Sequence, residues 1–174
     1  MTEAAKPGID LYSIDKLMHE TRQLAARYRQ TTGTTLPVTG EIARFDAAKA
    51  LNLTLLDDAS LTYDAIGNDD REGQRIVIKG RALFDESRSS TPRIGQINPQ
   101  QEWDRVVVVF FDDNYQPIDI YEATREEIEE ALAGKESKNK KRGAMSVAQF
   151  KIIGQLVWTA EQGVESEVWD NQAS

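Results

Sequence analysis

The chain has 174 residues, about one average domain, and carries 21 Lys and Arg against 29 Asp and Glu, a formal net charge of −8 at pH 7. It has no cysteine and one histidine, His19. Disulfide, cysteine–zinc, iron–sulfur and thiol chemistry are thereby excluded, and a Ser-His-Asp triad has a single candidate base.

A chain of this size buries roughly 70% of the surface it exposes when unfolded, enough for one core without covalent staples. The longest unbroken apolar run, residues 106–111, is six residues, far short of the ~20 that a membrane span needs. The first residues, MTEAAKPGID, lack the apolar stretch of a secretory signal. The expectation is a soluble, cytoplasmic protein with no membrane partner, in three parts: a flexible N-terminus over 1–12, one domain over 13–160 and an acidic tail over 161–174.

From Ser13 the spacing of Ile14, Leu17, Met18, Leu24, Ala25 and Tyr28 is helical with one apolar face. His19 falls on the polar side and reads as a surface residue. Residues 31–37 read as loop. Thr39 or Gly40 can cap a second helix that begins near Glu41, turns Ile42, Phe45 and Ala48 inward and ends near Leu51. The period then shortens. Residues 62–66 and 74–80 are β-prone and separated by a turn-rich polar link, which predicts a hairpin with a long loop. Residues 81–100 read as irregular. Residues 106–111 show no alternation, as expected of a central strand covered on both faces. Residues 117–121 return as its neighbour. Thr124 and Glu127 form a capping box before a helix that runs to Ala133 and stops at Gly134. Residues 135–142 (KESKNKKR) are a basic link. Ser146 and Gln149 make a second capping box, opening a helix with Val147, Phe150, Ile153, Val157 and Trp158 apolar. The order of elements predicts an α+β domain: a mainly antiparallel mixed sheet of about four strands, flanked by helices.

Alternation along the second hairpin strand sends Ile76 and Ile78 one way and Arg75, Val77 and Lys79 the other. A lysine near the end of this apolar strand, with Asp64 in the adjoining one, is out of character for a sheet. Glu41, in the first turn of the preceding helix, adds a second carboxylate. Two carboxylates and a strand carbonyl, that of Ile78, are oxygen ligands suited to Mg²⁺ or Mn²⁺. Such an ion polarises a phosphodiester and acidifies its bound water, while a lysine orients that water and stabilises charge on phosphate. The chemistry needs neither cysteine nor histidine.

Asp64, fifteen residues before Lys79 at the end of an Ile-Val-Ile-Lys strand, with Glu41 upstream, resembles the PD-(D/E)XK restriction-endonuclease-like superfamily, and the stretch over about 38–158 resembles a small bacterial domain family of that type. The resemblance implies a restriction-endonuclease-like fold and a Mg²⁺-dependent DNA phosphodiesterase. In it Asp64 and Glu41 are metal ligands and Lys79 is the catalytic lysine. The acidic or amide position two before the lysine is Val77, which cannot ligate a metal; Glu41 is the best replacement, with Asp46 and Glu72 behind it. The fourth strand also follows the third directly, where that fold places a helix.

Plainer readings stand beside these. Asp64 and Lys79 also fit a cross-strand ion pair, and Glu41 favours the positive end of its helix. Arg75 and Arg81 are candidate phosphate contacts or solvated strand-edge charges. Arg142 and Ser146 are candidates at a helix N-terminus, where the serine is first of all an N-cap. Residues 71–93 carry six basic and three acidic side chains, a local positive patch on an acidic molecule. The partners expected are DNA, a second copy or a partner protein. The alternative to an enzyme is a binding module on the same scaffold, or a subunit of a bacterial defence system.

Overall fold

The computed structural model describes residues 11–84, 92–133 and 144–164. Helices α1 (Leu11–Thr32) and α2 (Thr39–Leu51) come first. Strands β1 (Leu53–Leu55) and β2 (Ala65–Gly67), a 3₁₀ turn (Asp69–Arg71) and β3 (Arg75–Ala82) follow. Then come β4 (Arg93–Gln96), β5 (Arg105–Phe111), β6 (Pro117–Thr124) and α3 (Arg125–Ala133). The chain continues through β7 (Ala144–Ser146), α4 (Val147–Ile153), β8 (Gln155–Thr159) and β9 (Gly163–Val164).

The strands build a seven-stranded mixed sheet in the order β1-β2-β3-β5-β6-β8-β9, curled into a half-barrel, and a separate two-stranded sheet of β4 and β7. Only β3 and β5 run parallel; every other neighbouring pair is antiparallel. This overturns the expected restriction-endonuclease-like sheet of about four strands. The added strands β1, β4, β8 and β9 are two to five residues long, too short for a period of two to declare itself.

The central strand is as anticipated. Val106 to Phe111 are all fully buried. Val107, Val109 and Phe111 pack under α1 and α2, while Val106, Val108 and Phe110 pack under α3, α4 and the small sheet. The β2–β3 hairpin forms, with Ala65 opposite Ile76. The box of Thr124 and Glu127 closes in both directions: the Thr124 N–H donates to Glu127 Oε2 at 2.8 Å and the Glu127 N–H to Thr124 Oγ1 at 3.3 Å.

Three expectations need correction. Helix α2 starts at Thr39 behind Val38, with no side-chain cap from Thr39 or Gly40. The helix after Ser146 ends at Ile153, and Val157 and Trp158 lie in β8 instead. At the break, a Cβ on Gly154 would stand 2.9 Å from the Glu122 carbonyl oxygen. This close approach carries the chain onto β6, where β-branched and aromatic residues suit a strand. Finally, α1 does not bury its whole apolar stripe: Leu17, Leu24 and Tyr28 are exposed while Arg22, Ala25 and Ala26 are buried. Gly134 and residues 135–142 and 165–174 lie outside the described residues. No described helix is long and apolar enough to cross a membrane.

Arg22 is inside because Asp46 of α2 meets it. Its two terminal nitrogens donate to the two carboxylate oxygens, and Nη1 also donates to the Tyr115 carbonyl at 2.7 Å. Both side chains are about 8% exposed. Breaking such a pair strands a buried charge. Asp46→Ala is expected to lower unfolding free energy by about 3–5 kcal/mol, and Arg22→Met with Asp46→Leu to recover most of it. Denaturant midpoints read both; a loss under ~1 kcal/mol for the single variant means that water reaches the pair.

Candidate active site

The site begins where a ladder stops. β2 pairs with β3 only through Ala65 and Ile66. The Asp64 N–H continues the pattern, donating to the Ile76 carbonyl at 2.8 Å. The next donor on β3, the Ile78 N–H, meets the Asp64 carboxylate instead, Oδ2 at 2.7 Å. Asp64 therefore caps the sheet edge with its own side chain and satisfies a backbone donor on a half-buried strand.

One residue on, Lys79 points away from the Ile76 and Ile78 side, as alternation requires. Asp64, Val77 and Lys79 line one polar cavity of about 460 Å³, with Thr62, Gln96 and Asn98 on its other walls. Among the described residues Lys79 has no hydrogen bond or ion pair. Burial pushes its ammonium below the ordinary lysine value of 10.5, and the charge on Asp64 pulls the other way. Gly95 of β4, at φ +96°, lies across the lysine: a Cβ there would stand 3.9 Å from Nζ.

The far wall, residues 96–103, is anchored from outside. Arg125, the first residue of α3, donates from Nη1 to the carbonyls of Gln101 at 2.9 Å and Trp103 at 2.8 Å. Its guanidinium covers the Trp103 ring at 4.6 Å. The indole N–H donates to the Asn98 carbonyl at 2.8 Å. Across the mouth, Thr62 Oγ1 donates to the Glu102 carbonyl at 2.7 Å. The cavity wall is thus held by hydrogen bonds that range from part-buried to exposed.

Glu41 joins the group through a residue that the sequence analysis missed. Arg44 donates from Nη1 to Asp64 Oδ1 at 2.7 Å and from Nη2 to the Leu56 carbonyl at 2.9 Å. Its Nε stands 3.8 Å from Glu41 Oε2. A guanidinium therefore sits between the two carboxylates assigned to a metal. The signal was legible, since Arg44 follows Glu41 by three residues on one helix and such positions are neighbours.

The remaining candidates divide. Ile78 contributes its N–H to Asp64, and its side chain belongs to the core. Val77 faces the cavity from the position where an acid was sought. Asp46 pairs with Arg22 in a separate cavity and Glu72 is exposed, so neither replaces the missing acid. Arg75 is held by Asp104, Nε to Oδ2 at 3.1 Å, with Glu102 Oε2 at 3.3 Å from Nη1. Arg81 is exposed. Ser146 is an N-cap, its Oγ accepting from the Gln149 N–H at 3.1 Å. Arg142 lies outside the described residues.

The described residues hold no cluster of three His, Cys, Asp or Glu side chains suited to a metal. Mg²⁺, however, is commonly held by one or two carboxylates and several waters. Asp64 and Glu41 supply that number of carboxylates, but Arg44 stands between them, and Asp64 Oδ1 and Oδ2 already accept from Arg44 and the Ile78 N–H. Compared with known proteins, the chain matches no family model and no curated relative.

A half-buried ammonium whose desolvation outweighs the pull of Asp64 costs stability for as long as it is charged. Lys79→Met is expected to stabilise the fold near neutral pH. The sign follows from a lowered lysine pKa: the advantage is complete below the folded pKa of Lys79 and closes as pH rises toward 10.5, where the unfolded chain also discharges. Thermal unfolding from pH 6 to about 10.5 measures it. A destabilised variant, or an advantage that does not vary with pH, shows that the ammonium is not strained.

Proposed function

We propose that the chain hydrolyses phosphodiester bonds of DNA with Mg²⁺ or Mn²⁺ at the cavity that holds Lys79 and Asp64. The observation that carries this reading is a desolvated lysine beside a carboxylate at a truncated sheet edge, with a second carboxylate joined to the first through Arg44. Strained charges of this kind concentrate where chemistry is done.

Asp64 and Glu41 would hold the ion, which acidifies a bound water and neutralises charge on phosphate. Lys79 is the hydrogen-bond donor to a phosphoryl oxygen and the group that orients the attacking water. Thr62, Gln96 and Asn98 supply neutral donors and acceptors for the sugar–phosphate chain. Arg44, once displaced from Asp64, is a second cation for the backbone. Arg81, on the Lys79 face of β3, extends the positive track on a chain of net charge −8. A second reading, capture of nucleic acid without hydrolysis, is favoured by Val77 and by the guanidinium already seated between the carboxylates.

Nicking of supercoiled plasmid in Mg²⁺ and in Mn²⁺ separates the two. Hydrolysis is expected to fall at least ~100-fold in Lys79→Ala and in Asp64→Asn, and to rise in Val77→Glu, which adds a carboxylate to the same cavity. Calorimetry is expected to show tighter Mn²⁺ binding in Arg44→Met and none in Asp64→Asn. Cleavage that survives Lys79→Ala moves the reaction elsewhere. Lys79-dependent binding of an oligonucleotide with no cleavage in either metal establishes the second reading.

A further inference from the structure

Helix α1 carries a buried stripe and a largely apolar exposed one. The inner one, through Arg22, Ala25 and Ala26, is buried against the core. The outer one runs through Ile14, Leu17, Thr21, Leu24 and Tyr28, at alternating steps of three and four residues. At ~100° per residue it lies roughly a third of a turn from the inner stripe. Leu17 is 59% exposed, Leu24 52% and Tyr28 39%. Leu17 and Leu24, seven residues apart, hold one heptad position, and Ile14, Thr21 and Tyr28 hold the other, the a and d spacing of a two-stranded coiled coil.

The charges beside the stripe say what covers it. Glu20 and Arg27, seven residues apart, occupy equivalent g positions on the edge away from the core. We propose that this face binds a second copy of the chain, the two α1 helices lying antiparallel about a two-fold axis near residues 22 and 23. Leu17 then packs on Tyr28 of the second copy, Thr21 on its Leu24, and Glu20 faces its Arg27, each contact made twice by symmetry. A parallel arrangement fails on the same residues. It leaves Glu20 facing Ala25, which already packs against its own core, and Arg27 facing Thr32, so neither charge meets its opposite. With two leucines and one tyrosine from each side, the contact is smaller than the ~800 Å² per partner of a standard interface. A weak dimer is therefore expected, one that forms only at micromolar concentrations or above.

Sedimentation equilibrium of the full chain from about 5 to about 500 µM tests the proposal. A monomer–dimer equilibrium is expected, abolished by Leu24→Glu with an unchanged circular dichroism spectrum. Glu20→Arg alone and Arg27→Glu alone are each expected to weaken the dimer roughly tenfold, and the double variant to restore it. A wild-type chain that stays monomeric at the highest concentration overturns the proposal. So does a dimer indifferent to Leu24→Glu, or a double variant as weak as the single ones.

Discussion

A strand whose side chains are buried on both faces governs this molecule. Val106 to Phe111 admit no water on either side, so the sheet around β5 has to be covered twice. The two N-terminal helices cover one face. Helices α3 and α4, with the β4–β7 pair, cover the other. Each cover brings its own polar equipment. The first brings the Arg22–Asp46 pair, and the second brings Arg125, whose guanidinium holds three carbonyls and the face of a tryptophan.

The cavity is a by-product of that layering. β3 lies parallel to β5 over its whole length, from Ile76 beside Arg105 to Ala82 beside Phe111, but its other neighbour, β2, stops after two pairs. Among the described residues, β3 beyond Ile78 thus has no second strand hydrogen-bonded to its edge. An open edge beside a core exposes backbone donors, and Asp64 answers one of them with its carboxylate. Lys79 then emerges beside a negative charge in a cavity whose walls are already fixed by Thr62 and Trp103. α2 closes in tightly behind: a Cβ on Gly80 would come within 2.7 Å of the Ala43 Cβ and 2.8 Å of the Thr39 carbonyl oxygen. That contact sets the approach of the helix that carries Glu41 and Arg44.

Arg44 is the arbiter of the site's chemistry. It neutralises Asp64 and ties in Glu41, so in this state the carboxylates are satisfied without a metal. On the proposed reading a hard cation would have to displace this guanidinium from the Asp64 oxygen. The exposed stripe of α1 belongs to a different economy of the fold. The helix is anchored through small residues and a buried arginine, which leaves Leu17, Leu24 and Tyr28 exposed.

Much of this was legible in the sequence because it rests on local physics. An unalternating apolar run means double burial, a hydroxyl three residues before a glutamate closes a capping box, and a period of two puts Val77 and Lys79 on one face. What local physics cannot rank is competition between equally apolar stripes. Leu17 and Leu24 look like better core residues than Ala25 and Arg22, yet the small side chains let α1 approach the sheet, and Arg22 goes inside because Asp46 awaits it there. The short edge strands escaped for a related reason: β4, β8 and β9 are too short for a period of two to show, and Val157 and Trp158, which suit a strand, also continue the apolar spacing of the helix before Gly154. The sequence by itself determined which residues carry charge near the strand end and that Val77 and Lys79 share one face of β3. Only the tertiary structure decided that Arg44 stands between the carboxylates, because a salt bridge spanning twenty residues depends on how closely a helix packs on a sheet, and no local pattern encodes that distance.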